Sequence, residues 1–173
     1  MEIEQFKYCA DGAYPILQNV QHNSQYARVL QNNYAGKGGE VTATMQYCYQ
    51  DFVAHRFNQD IATVLSGIAK VEMHHMELLA DAILQLGGNP TISGSGGWWS
   101  GNSVYYNVNV INMINRDLRD EELAILDYKK AIAFIHNDEI DALLERIILD
   151  EEVHIEVLTR LKQAVEFYLS SPV

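Results

Sequence analysis

Cysteine is scarce in this chain: Cys9 and Cys48 are the only two, and they stand far apart without a C-x-x-C partner. That excludes a thiolate zinc or iron site and leaves reduced, mostly buried thiols as the ordinary reading. Positive charge is short as well. Against 23 Asp and Glu there are 12 Lys and Arg, a formal net charge of -11. Phosphate backbones and anionic lipid are therefore repelled, and with no local basic patch neither nucleic acid nor a membrane surface is an expected partner. Long apolar runs are missing too. The longest, such as Ala131 to Ile135, span a handful of residues, and the opening Met-Glu-Ile-Glu-Gln is acidic; no signal peptide or membrane span is expected, and the expected compartment is the cytoplasm. Period-two alternation, finally, is nowhere sustained long enough for a sheet.

What the sequence has in abundance is apolar recurrence at three-and-four spacing, the mark of helices that bury one face. Hydrophobic residues make up 48% of the 173 positions and charged ones 20%, the balance of a single globular domain with its own core. The expected fold is all-α, a four-helix bundle over residues 39–170. Its helices are predicted from Gly39 to His55, Gln59 to Leu86 with Asn58 as N-cap, Val108 to His136, and Asn137 or Asp138 to Leu169. The glycine-rich stretch from Gly87 to Ser103 suits neither helix nor strand and reads as a long crossover connection between the second and third helices. Residues 1–38 form an N-terminal extension in which Pro15 to Gln31 has the outline of a shorter extra helix, diluted by Asn, Gln and Gly.

Two of the predicted seams are interrupted. In the second helix Ile61, Leu65, Ile68, Glu72, His75, Leu79 and Ala82 share one face; in the fourth, Leu144, Ile147, Glu151, His154, Leu158, Leu161 and Val165 do. Each apolar stripe contains Glu-x-x-His. Burying an unpaired carboxylate costs several kcal/mol, and side chains at i and i+3 can hold one ion between a carboxylate oxygen and an imidazole nitrogen. The remaining helices add Glu40 with Tyr47 and Glu121 with Tyr128, both as Glu-x6-Tyr. Tyr and Glu recur at an offset of 81 residues and Glu-x-x-His at 79, which marks an internal duplication. Helical phase sets the neighbouring Glu122 and Glu152 about 100° off the seam, on the solvent side.

Four carboxylates at Glu40, Glu72, Glu121 and Glu151, with His75 and His154, balance two divalent ions. The bland alternative is a salt-bridged polar layer without metal, which the duplicated order and phase disfavour. His74, His22, His55 and His136 read as surface histidines, and Trp98 and Trp99 as anchors of the connection or subunit contacts.

At these residues the chain resembles the ferritin-like superfamily, specifically its rubrerythrin and manganese-catalase branches, over about Gly36 to Leu161. Asp150-Glu151-Glu152-Val153-His154 is similar to the Asp-Glu-x-x-His signature of rubrerythrins, and Gly38-Gly39-Glu40 through Tyr47 to the opening of manganese catalases. The resemblance implies two iron or manganese ions per chain, with zinc as a substitute. It further implies terminal and bridging carboxylates at Glu40, Glu72, Glu121 and Glu151, and imidazole ligands at His75 and His154. Tyr47 and Tyr128 would orient ligands, and Asp150 would bond the far nitrogen of a ligand histidine; the equivalent place in the first half is Val71. Asp120 stands where manganese catalases carry an arginine, and no rubredoxin domain is present to relay electrons. The implied function is a peroxidase or catalase-type oxidoreductase acting on hydrogen peroxide or dioxygen, with an external electron donor in the peroxidase case, as a homodimer or higher homo-oligomer. The alternative is an iron-binding, storage or coat-type protein without turnover.

Overall fold

A computed structural model describes residues 6–170 of the chain. Its helices are α1 (Ser24–Ala35), α2 (Glu40–Ala54), α3 (Gln59–Gln85), α4 (Val110–Ile135) and α5 (Asp138–Ser170). Asparagine starts most of them: the side chains of Asn23, Asn58, Asn109 and Asn137 each accept from backbone amides two or three residues on, meeting donors that the first turn leaves without a partner. At the end of α4, His136 takes up the left-handed region at φ 49° and turns the chain into Asn137. The bundle helices thus lie within two residues of their expected bounds, the usual uncertainty at frayed ends.

Helices α2 and α3 form one hairpin and α4 and α5 the other, with α3 packed on α5, while α1 lies across α3 and α4. The core has two apolar lobes. Leu79, Ala82 and Ile83 of α3 meet Ile140, Leu144 and Ile147 of α5 in one; Ile61, Leu65 and Ile68 meet Leu158, Leu161 and Val165 in the other. Residues 72–75 and 151–154 fall between the lobes, so the interrupted seams meet at mid-bundle. Among the described residues no helix is long and apolar enough to cross a membrane.

Two expectations are corrected. The extra helix spans Ser24–Ala35 instead of Pro15 to Gln31, because the amides of Gln18 and Asn19 bond to the Glu139 carboxylate at 2.6 and 3.2 Å rather than entering a helical ladder. The connection, expected to hold no strand, contains β1 (Ser93–Gly94) and β2 (Gly97–Trp98), paired antiparallel. Gly97, at φ 104°, allows the tight turn, and Gly94 lies so close to Gly36 that a Cβ would stand 2.6 Å from its Cα. Trp99 pins the connection to α2 by donating from Nε1 to Thr42 Oγ1 at 2.9 Å; Trp98 is 79% exposed.

Candidate metal centre

Helical phase delivers all six predicted ligand side chains to one place. Glu40 opens α2, Glu72 and His75 lie on α3, Glu121 on α4, and Glu151 and His154 on α5, and all are buried. They form two overlapping groups, Glu40, Glu72, His75 and Glu151, and Glu72, Glu121, Glu151 and His154, whose candidate ligand atoms lie within 4.8 Å of one another in each group. Glu72 and Glu151 belong to both groups, so either carboxylate would be within reach of two ions at once. The exposed Glu122 and Glu152 point elsewhere. His75 Nδ1 stands 3.2 Å from Glu72, 3.4 Å from Glu151 and 3.7 Å from Glu40; His154 Nδ1 stands 3.0 Å from Glu151, 3.2 Å from Glu72 and 3.8 Å from Glu121. Both imidazoles therefore turn Nδ1 into the centre and Nε2 away from it.

The donor set fits divalent cations. Glu40 Oε2, Glu72 Oε1 and Glu151 Oε1 are buried without a well-formed hydrogen bond, and buried acceptors of this kind need a compensating positive charge. Protons supply part of that charge when no metal does. Burial, followed by repulsion from Glu72, pushes the carboxyls of Glu40 and Glu121 well above the usual range. Burial opposes a charge on either imidazole. Hydrogen bonds to Asp150, Glu151, Glu40 and Glu72 nevertheless raise His75 well above its ordinary value, and the Glu72 carboxylate with bonds to Glu151 and Glu72 raises His154 to about 10. Burial also works against ionisation of Glu72, but the two imidazoliums hold it well below the carboxylate range. Oxygen and imidazole donors of this mixture suit manganese, iron and zinc.

A second layer fixes the first. Tyr47 of α2 donates its hydroxyl to Glu121 of α4, and Tyr128 of α4 donates to Glu40 of α2, so each copy of the repeat braces the other's carboxylate. Asp150 accepts at 3.0 Å from Nε2 of His75, across the bundle. His154 has no counterpart: its Nε2 is buried and meets no hydrogen-bond partner among the described residues. His74 is half-buried against the edge of Tyr14, ring centroids 4.8 Å apart, and His22, His55 and His136 are exposed and take no part.

Several residues of the site carried no signal in the sequence. Gln46 and Gln50 of α2 donate to Asp117 of α4 at 2.9 and 2.8 Å, and burial raises Asp117 to about 8 against these two bonds. Tyr14, the amide of Ala10 and Arg146 all bond to Asp150, at 2.6, 2.7 and 2.6 Å. Asp120, in the place of the expected arginine, receives both bonds of the Arg116 Nε at 2.7–2.8 Å. An arginine thus reaches this face from one turn earlier. Between α2 and α4 a narrow cavity of about 40 Å³ leads to the carboxylates, with Lys37, Arg116 and Asp120 at its lining. An i, i+4 relation to Glu121 is the only sequence signal Asp117 offered, and Gln46 and Gln50 offered none beyond polarity within a buried helix.

This arrangement has parallels among known proteins. A probable manganese catalase of Clostridium acetobutylicum is 24% identical, the match covering 78% of this chain and 68% of the relative. The crystal structure of KatB, a manganese catalase from Anabaena, superposes with a TM-score of 0.81 at 20% identity, over 91% of this chain and 80% of that one. Bacterioferritin from Rhodobacter capsulatus, described with a metal-free dinuclear site and haem iron, gives 0.73 at 19% identity, over 85% and 89%. At these identities the two structural likenesses speak for the ferritin-like fold alone. The sequence match goes further: the profile of manganese-containing catalases covers residues 16–109, more than half the chain and the whole of the first Glu-x6-Tyr, Glu-x-x-His unit, and the chain accordingly belongs to the manganese-containing catalase family.

Proposed function

We propose that this protein is an oxidoreductase that holds two manganese or iron ions and acts on hydrogen peroxide, with catalase-type disproportionation as its leading reaction. The observation that carries the proposal is the sharing of Glu72 and Glu151 between two ligand groups in a buried centre reached by a narrow cavity. Bound there, a pair of redox-active ions supplies the two-electron couple and Lewis acidity that peroxide chemistry requires. Zinc suits the same donors but has no redox chemistry.

The chain's own part is holding, orienting and excluding. Glu40 with His75, and Glu121 with His154, close the two ends, while the hydroxyls of Tyr128 and Tyr47 fix the outer carboxylates. A cavity of about 40 Å³ has room for one or two water-sized molecules, so peroxide enters and bulkier reductants are kept from the centre. Gly39 helps to form this approach. A Cβ there would stand 2.2 Å from the Asn33 carbonyl oxygen, so only glycine lets the chain enter α2 with Glu40 as its first residue.

The test is peroxide consumption and oxygen release by protein loaded with manganese or iron, with and without added reductant. Oxygen release without reductant, above that of the free ions, is the expected result. Consumption that requires an external electron donor moves the assignment to a rubrerythrin-like peroxidase. Metal uptake without consumption above the free-ion rate sinks the enzymatic reading and leaves a binding or storage role.

A further inference from the structure

The two ends of the centre are built differently. At one end, Nε2 of His75 bonds at 3.0 Å to Asp150, a fully buried carboxylate that is itself held from three directions. Tyr14 Oη and Ala10 N donate to it from the N-terminal segment at 2.6 and 2.7 Å, and Arg146 Nη1 donates from one turn earlier on α5 at 2.6 Å. Arg146 also grips that segment, donating to the carbonyls of Ala10 and Gly12 at 2.9 and 3.3 Å and stacking 4.3 Å from the centroid of the Tyr14 ring. Tyr8 lies in a notch at Gly67 of α3, where a Cβ would come within 2.4 Å of its ring. Residues 8–14 are therefore seated on the bundle as a strap over Asp150.

At the other end, Nε2 of His154 is buried and unpartnered among the described residues. The repeat offset of 79 accounts for this, since the residue in the place of Asp150 is Val71, which has no acceptor to offer.

An imidazole whose far N–H is held by a carboxylate is fixed in tautomer and orientation and is a stronger donor to a metal; losing such a partner typically costs about 10–100-fold in affinity. We infer that the two metal positions are unequal, the His75 end filling first and holding its ion more tightly because the N-terminal strap braces it through Asp150. This inference rests on the dimetal reading above and assigns Tyr14 and Arg146 as positioning residues for one of the two ions.

The experiment is a zinc titration of the metal-free, full-length protein labelled with ¹⁵N-histidine, followed through imidazole correlation spectra, with calorimetry for the stepwise constants. Below one equivalent, His75 Nδ1 is expected to take the metal-bound shift while His154 does not. Tyr14→Phe is expected to lower the first constant by about 10-fold and to leave the second unchanged, a split that general loosening of the fold would not produce. Parallel response of both imidazoles, His154 responding first, or equal loss of both constants in Tyr14→Phe overturns the inequality and leaves the dimetal reading standing. Should no zinc bind at all, both fall together. The wild-type spectra decide the order of filling even if the variant does not fold.

Discussion

Asp117 shows what a single residue costs in this interior. It is fully buried, with Oδ1 taking both glutamine amides while Oδ2 and the nearby Gln50 Oε1 have no hydrogen-bond partner among the described residues. Burial raises its pKa to about 8 from 3.8. The native state therefore keeps a proton that the unfolded chain gives up above pH 4, so stability is greatest below the unfolded value and declines as pH rises towards 8. Asp117→Asn keeps an oxygen for the glutamines, gains an N–H for Gln50 and has no charge to resist. Thermal melts should show the wild type losing more stability than the variant between pH 6 and pH 8.5; the loss common to both comes from Glu40, Glu121, His75 and His154, whose protons the metal-free fold also favours. At pH 8.5 the variant should melt higher by roughly 2–4 °C, about 1 kcal/mol for a chain of this size. Equal losses in wild type and variant over that range would show that Asp117 is ionised in the fold. Its i, i+4 relation to Glu121 is too weak a signal to single it out, because an aspartate one turn from Glu121 looks like any solvated carboxylate until the partners on α2 are known.

At the scale of the helix, one angle decides which carboxylates matter. Glu151 and Glu152 are neighbours in sequence, yet the 100° step between them places the first among the ligand atoms and the second in water. Glu151→Ala removes an oxygen donor shared by both ligand groups and should take metal content well below two ions per chain, as read by elemental analysis of the purified protein. Glu152→Ala should leave it unchanged, and similar losses in the two variants would contradict the phasing. The same periodicity made the four bundle helices and the six converging side chains legible from sequence, since Glu-x-x-His set into the apolar stripes of two helices buries carboxylates that require a positive charge beside them. The tyrosines were legible as a repeat but not in their partners: that Tyr47 serves Glu121 and Tyr128 serves Glu40 depends on how α2 and α4 face each other. The N-terminal strap was illegible for a related reason. Its contacts to Asp150, and the bond of Gln18 just beyond it to Glu139, span more than 100 residues, and an extended segment held by side-chain bonds carries no periodicity to read.

The whole molecule confronts an electrostatic problem that protons or metal ions can each solve. Two apolar lobes enclose a layer holding four carboxylates, and like charges 4 Å apart repel by about 4 kcal/mol even at an effective dielectric of 20. The directions of the shifts describe the metal-free answer: burial and repulsion favour protons on Glu40 and Glu121, the surrounding carboxylates favour imidazolium at His75 and His154, and the imidazoliums favour carboxylate at Glu72 and Glu151. Two positive and two negative charges sum to zero. With two divalent ions bound, four carboxylates carry -4 against +4 and the imidazoles are neutral, and the sum is again zero. On that charge balance, loading is predicted to exchange about four protons for two ions. Calorimetric titration at pH 7 in buffers of different ionisation enthalpy should report that number, and the overall two-ion constant should weaken by roughly four decades per unit of falling pH while all four groups are protonated in the metal-free state. The direction is fixed by the sign of the shifts: all four groups that must lose a proton have been raised, so acid competes with metal already at neutral pH, His154 titrating only near 10. A release of two protons would show that two of these four groups are already unprotonated before metal arrives. In that case the empty bundle would carry two uncompensated negative charges in its interior, and its stability should rise steeply as either metal or acid is added.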